Sequence, residues 1–307
     1  MKKKYFLLTL ITLLSFPSWS QLSAGDIAFV GFNTDGDRDF AIVALNDIPA
    51  NTTIYFTDDE TTGVGSPSAL AGSEGTITWT SGLSVINVGT IIVFTDTDSA
   101  SNPSFGASVG SISRSGSFTI SGSKDGLIAF LGTDSDTPTT YLTAIQIGND
   151  SAELGPFDGD GITLTNTGLV AGTSLIIFDD SASPDGAVYS GSRSNQSSFS
   201  SYFSLLADDS SNWTNIVNGD GETLLPFSTT AFTSTSTTWD GSTDTDWNVS
   251  TNWSDGIPTS SSNVSIPVVT NHPTIGSSQS IEVNDLTITK NAILTVSSGG
   301  SLIVNGT

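Results

Sequence analysis

Short apolar runs bounded by Gly, Asp, Asn, Ser or Pro recur along most of this chain, and few of them keep a helical period. The clearest block is Gly25 to Thr57. It reads as a strand at Ile27–Phe32, an acidic turn at Asn33–Asp39, a strand at Phe40–Leu45, a turn at Asn46–Asn51 and a strand at Thr53–Thr57. Further runs at Thr76–Thr80, Thr90–Thr95, Ser117–Ser121, Leu127–Gly132, Thr139–Ile147, Gly161–Asn166 and Ser174–Asp179 follow the same pattern, with Leu224–Phe227 as a closing edge strand. Many short strands between turn residues predict an all-β, antiparallel sandwich rather than βαβ units. Phe40–Leu45, Ile91–Phe94 and Leu175–Phe178 are apolar on both faces, which predicts central strands partly covered by loops. One segment keeps a helical stripe: Phe199, Tyr202, Phe203 and Leu206 fall at i, i+3, i+4 and i+7.

Beyond Phe227 the texture changes. Ser228–Thr238 is almost pure Ser and Thr, with little to bury, and a linker is placed at 233–238. Trp239, Trp247 and Trp253 then sit in an acidic, Asn-rich stretch. After them Asp285–Ala292, Ile293–Gly300 and Ser301–Thr307 align on one another with a period of eight. Short strands at fixed spacing predict stacked coils, a short β-solenoid or β-helix-like segment over 239–307. The pattern breaks off without a polar cap, which leads us to expect a longer product.

The first residues are set apart from the fold. Lys2, Lys3 and Lys4 precede the apolar run Tyr5–Phe16, and Ser18-Trp19-Ser20 supplies small residues before Gln21. Residues 1–20 therefore read as a cleaved signal peptide, its apolar run too short to span a bilayer, and the protein as exported, extracellular or at the cell surface. Removing that segment removes three of eight basic residues and none of 31 acidic ones, which takes the net charge from −23 to about −26. Such a field repels nucleic acid and anionic membranes and attracts cations. With no Cys, thiol catalysis and thiolate metal sites are excluded.

The segments "GDIAFVGFNTDGDRDFAIVALNDIPANTTIYFTDDE", "GTITWTSG", "LVAGTSLIIF", "AVYSGSRS" and "NWTNIVNGDGETLLPF", in that order, resemble the N-terminal module of exported bacterial surface proteins. That resemblance implies a lamin-tail-type, immunoglobulin-like β-sandwich over residues 24–232. "TWDGSTDTDWNVSTNWSDGIPTSSSNVSIP" with the repeat after it resembles a piece that opens the β-solenoid of large adhesins. Such proteins usually end in a C-terminal sorting domain. Neither resemblance implies a catalytic motif.

Two groups of residues are candidate sites. Asn33, Asp35, Asp37 and Asp39 place oxygen ligands at alternate positions of one turn, which suits Ca²⁺. The EF-hand pattern is not met, since Ala44 stands where its bidentate Glu would be, and the same residues serve equally as Asx-turns of a solvated hairpin. Asp58-Asp59-Glu60 and the pairs Asp96/Asp98, Asp134/Asp136, Asp158/Asp160 and Asp179/Asp180 sit just beyond strand ends, as cation ligands or as charges that oppose edge pairing. Trp239, Trp247 and Trp253 form either a sugar-stacking, ligand-binding platform or a cap on the open end of the solenoid. The one His, His272, has no second His, no Cys and no Gly-x-Ser-x-Gly elbow to work with.

These features together predict a non-enzymatic exported surface or matrix protein. It would act as an adhesion, interaction or spacer module, stabilised by Ca²⁺ if the acidic turn binds it. Its partners would be an extracellular protein or a glycan surface. The other reading, from a different class, is an accessory carbohydrate-binding region of a secreted hydrolase.

Overall fold

The computed structural model describes residues 21–72, 74–122, 125–147, 163–178 and 184–306; the expected signal peptide and the pairs Asp158/Asp160 and Asp179/Asp180 lie outside them. The chain is all-β. No helix among the described residues is long and apolar enough to cross a membrane.

The first part contains β1 (Ile27–Asn33), β2 (Asp39–Ala44), β3 (Thr53–Thr57), β4 (Thr61–Gly65), β5 (Ser68–Leu70), β6 (Thr76–Thr80) and β7 (Ile91–Thr95). It continues with β8 (Gly106–Ala107), β9 (Ser111–Ser115), β10 (Asp125–Asp134), β11 (Thr137–Ile147), β12 (Leu175–Ile177), β13 (Pro184–Tyr189), α1 (Tyr202–Leu206) and β14 (Trp213–Val217). Two sheets result, in the orders β14-β13-β1-β2-β7-β8 and β12-β11-β10-β3-β6-β9. Every pairing is antiparallel except that of β11 with β12.

Aromatic rings from the two sheets meet in one core. Phe40 of β2 and Phe94 of β7 stack at 4.4 Å, and Phe56 of β3 lies 5.1 and 4.9 Å from them. Trp79 of β6 adds an edge-on contact with Phe94 at 5.9 Å. Such tilted and offset pairs each contribute roughly 0.5–1.5 kcal/mol beyond the area they bury. A second, smaller core lies around Ile128, Phe130, Tyr141 and Leu175, where Leu164 and Leu169 from a loop cover them. This cover explains why β10 and β11 are apolar on both faces.

Several expected elements differ. Ser117–Ser121 forms no strand: Phe118 and Ile120 are buried, but the segment serves as an anchored loop. Leu175–Ile177 is an edge strand rather than a central one, its second face covered by the loop. Leu224–Phe227 is not a strand either. A 3-10 turn occupies Gly221–Leu224, and Phe227 lies so close over β1 that a Cβ on Gly31 would meet its ring at 3.0 Å. The expected strand Gly161–Asn166 lies partly outside the described residues, and 163–166 forms none. The helical stripe holds: α1 buries Tyr202, Phe203 and Leu206, with Phe199 just before it.

The second part comprises β15 (Ser236–Thr238), β16 (Asn263–Ile266), β17 (Thr274–Ile275), β18 (Ser280–Val283), β19 (Leu286–Ile288), β20 (Thr295–Val296) and β21 (Ser301–Val304). Here all strand pairs are parallel: β15-β16-β19, β17-β20 and β18-β21. Val264 faces Leu286, Thr274 faces Thr295 and Ser280 faces Ser301, so paired strands are offset by 22, 21 and 21 positions. The eight-residue units therefore do not pair with one another. Each pairs with a strand about three units earlier.

The expected linker at 233–238 is also corrected. Ser236–Thr238 is a strand, Thr237 is buried, and the residues before it are held to the first part. Thr233 N–H donates to Arg193 O at 2.8 Å, Thr235 N–H to Gln196 O at 2.7 Å, and the Tyr202 hydroxyl to Thr233 O at 2.7 Å. A Ser/Thr-rich composition signals a solvated linker only when its hydroxyls and amides have nothing but water to bond.

Candidate functional site

The acidic turn joining β1 to β2 is built from the inside by Asn33. This residue is fully buried; its Nδ2 donates to the carbonyls of Asp35 and Asp37, both at 2.9 Å, and its Oδ1 accepts from Asp35 N–H at 3.1 Å. Asp35 Oδ2 accepts from Gly221 N–H at 2.9 Å, and Asp37 Oδ1 from Asn102 Nδ2 at 2.9 Å. Asp39, buried at the start of β2, accepts from Asp96 N–H at 3.0 Å. The four expected Ca²⁺ ligands thus point to separate protein partners. Among the described residues, Asp35, Asp37 and Asp39 do not bring three ligand oxygens within 4.8 Å of one another. Asn33, Asp35, Asp37 and Asp39 as a metal site is corrected on that ground: the turn is a hydrogen-bonded Asx structure.

What surrounds the turn was not legible in the chain order. Segment 220–227, far away in sequence, lies against it, close enough that a Cβ on Gly36 would strike the Glu222 carboxyl. Gly36 also has φ of +50°, so a side chain there would be strained as well as crowded. Asp37, Asp39, Asp96 and Glu222 then rim a groove whose apolar lining includes Val93, Leu225, Pro226 and Phe227. Its volume is about 400 Å³, within the range of ligand-sized clefts. Burial, reinforced by the nearby Asp96 and Asp37 charges, raises the Asp39 carboxyl to about 6, although hydrogen bonds from Asp96 N–H and Asn33 oppose the shift.

A second carboxylate group gathers beyond β3. Asp59, Glu60 and Glu74 bring ligand oxygens within 4.8 Å of one another, the one such group among the described residues. Beside it Asp58 accepts from Thr119 N–H at 2.6 Å and Gly75 N–H at 3.3 Å, which fastens the start of β6 to the loop after β9. Asp125 accepts from Ser121 N–H at 2.6 Å and Gly126 N–H at 2.7 Å. Burial is the main cause raising Asp58 to about 6, Glu74 to about 7 and Asp125 to about 8, with the neighbouring carboxylates adding to each.

Trp239, Trp247 and Trp253 come together, but not as a platform. Trp239 and Trp247 are fully buried and Trp253 is 4% exposed. Trp253 meets Trp239 at 4.9 Å and Trp247 at 4.7 Å, edge to face, in a core shared with Val264, Ile266, Ile275 and Val283. The ligand-binding expectation is therefore corrected: no indole face is open for a pyranose ring, because the parallel strands need these rings to fill their interior. Trp79 and Trp213 are core residues of the first part.

Asn252, which sequence reasoning passed over, locks the acidic stretch between these tryptophans. Fully buried, it accepts from Thr243 N–H and Asp244 N–H and donates to Asp244 Oδ1 and Asp246 O. All its polar valences visible here are used. An Asn directly before Trp253 in an Asp-rich stretch was the one signal in sequence that could have pointed to it.

Residues 238–307 match a family described as a domain of unknown function, DUF8693. The match covers nearly all of the part with parallel strands and none of the two larger sheets. No curated protein and no solved structure matches the chain.

Proposed function

We propose that the mature chain is a non-catalytic, exported interaction or spacer module of the bacterial cell surface. In this reading the two six-stranded sheets form a lamin-tail-like, immunoglobulin-type sandwich, and the parallel strands after it are the first coils of a solenoid. The supporting observation is the recurring 21–22-residue offset between parallel strands on three separate ladders, which is the arithmetic of stacked coils. A repetitive rod joined through hydrogen bonds to a compact head suits display or spacing away from a surface.

Support for the carbohydrate-binding alternative falls away with the burial of the three indoles. Any Ca²⁺ stabilisation belongs with Asp59, Glu60 and Glu74 rather than the Asn33 turn, and melting with Ca²⁺ against chelator tests it. The test of the main reading is expression of the full chain in a diderm bacterial host, followed by fractionation and N-terminal sequencing. A product beginning at Gln21 outside the inner membrane, conferring retention of cells on a protein or glycan surface, agrees with it. Cytoplasmic chain with Met1 intact overturns it.

A further inference from the structure

We propose that the groove between the acidic turn and segment 220–227 is a docking site for an Arg or Lys side chain of a partner protein. The proposal deepens the interaction-module reading and rests on it.

Charge complementarity is what selects this occupant. Four acidic residues, Asp37, Asp39, Asp96 and Glu222, line the groove, and no basic residue does. Arg38, though flanked by two of them, is committed elsewhere, its Nη1 to Gly36 O at 2.5 Å and its Nε to Ile120 O at 3.4 Å. One Arg against four carboxylates leaves an excess of negative charge around the groove, and a mature chain of about −26 draws cations toward it.

Shape then separates one cation class from another. A metal ion needs several oxygens converging on a point, and no three of these carboxylates come within 4.8 Å of one another. The charges instead ring an apolar lining of Leu225, Pro226 and Phe227. A Lys or Arg side chain matches both features: its aliphatic stem lies along apolar surface while the head meets carboxylates. For Arg, planar guanidinium geometry adds bidentate hydrogen bonding to a carboxylate. The side chain must be presented by a segment slim enough to approach β7, whose outer neighbour, β8, is only two residues long.

The experiment uses the full mature chain and three probes: a short Gly-rich peptide with one central Arg, the same peptide with citrulline, and guanidinium ion. Affinity is read by calorimetry at low salt. The expected result is binding of the Arg peptide, at least about tenfold weaker binding of citrulline, which lacks the charge, and of guanidinium, which lacks the stem. The double variant Asp96→Asn, Glu222→Gln should lose about tenfold for the Arg peptide. Asp96 has φ of +52°, a conformation Asn also adopts readily, so the fold is retained. The variant Asp134→Asn, Asp136→Asn removes equal charge at an exposed turn remote in sequence and should bind as the wild type does.

Equal losses in both double variants would mean attraction to net charge only and overturn the proposal. Citrulline binding as well as Arg, or an unchanged affinity in the groove variant, overturns it too. Should the groove variant not fold, Glu222→Gln alone carries the comparison. Failure here, with surface retention of cells intact, removes the groove and leaves the module reading standing; a chain never exported removes the module reading whatever the groove binds.

Discussion

Ser250 Oγ lies 2.9 Å from Asp47 Oδ2, although 203 positions separate the two residues. The same hydroxyl is 2.9 Å from Asn87 Oδ1, so its single proton is shared between two acceptors of the first part. Nearby, Phe199 N–H donates to Asp255 Oδ1 at 2.9 Å, and a Cβ on Gly256 would come within 2.9 Å of Val88. These contacts link the sheets to the parallel strands. Ser250→Ala should lower unfolding free energy by about 0.5–1.5 kcal/mol, the usual net value of such a bond. Gly256→Ala should cost more, since φ is +74° there and the approach is closer than a side chain tolerates. Urea denaturation read by tryptophan fluorescence checks both; unchanged midpoints would mean that the two parts unfold independently.

Stability should fall as pH rises from 5 to 8.5. Asp58, Glu74 and Asp125 have folded-state values of about 6, 7 and 8, all above their unfolded ones. The folded state therefore keeps protons that the unfolded chain releases near pH 4, and this contribution is lost as pH passes through each folded value. Glu74→Gln is the sharpest test, since burial and the charges of Asp58, Glu60 and Asp59 all act on Glu74 in one direction. The variant should raise the melting midpoint most at pH 8, much less at pH 5, and not at all near pH 3.5, where Glu74 is neutral in the folded and the unfolded chain alike. An equal shift at all three pH values counts against electrostatic repulsion as the cause.

Asn33→Ala should destabilise the chain to the same extent in EDTA and in millimolar Ca²⁺. Removing the amide leaves Asp35 N–H and the carbonyls of Asp35 and Asp37 without their partner, at roughly 1–3 kcal/mol for a buried group left unpaired. A loss seen only with Ca²⁺ present would restore the metal-site reading of the turn.

Two tryptophans of the same core should respond unequally to truncation. Trp253 Nε1 donates to Trp247 O at 2.8 Å, whereas Trp247 Nε1 is buried without a partner. Trp253→Phe breaks a bond and strands a carbonyl, while Trp247→Phe removes a donor that has none. The first should cost about 1–3 kcal/mol more than the second, by thermal or urea unfolding. Equal costs would mean that the Trp247 N–H is satisfied in solution.

Period-2 alternation and turn residues made the strands of the first part legible. Thr53–Thr57 and Thr76–Thr80 were located to the residue because a local pattern and its flanking turns agree there. Ser111–Ser115 was invisible, since an edge strand of Ser, Ile and Arg holds its place by backbone pairing with β6 alone. Of the groove, one wall could be suspected: the run of acids at Asp35–Asp39. Its opposite wall comes from residues about 190 positions later, which no local pattern relates to that turn.

By itself the sequence determined what is local: a β-rich chain without Cys, strongly acidic, changing texture after Phe227, with a repeat near its end. Tertiary structure alone decided which charges face one another, that three Trp rings turn inward, and that the Ser/Thr stretch is a strand rather than a tether. The physical reason is common to all three. Burial and hydrogen-bond partnership belong to pairs of residues brought together by folding, such as Asn33 with its turn or Ser250 with Asp47, and residue type alone does not specify the partner.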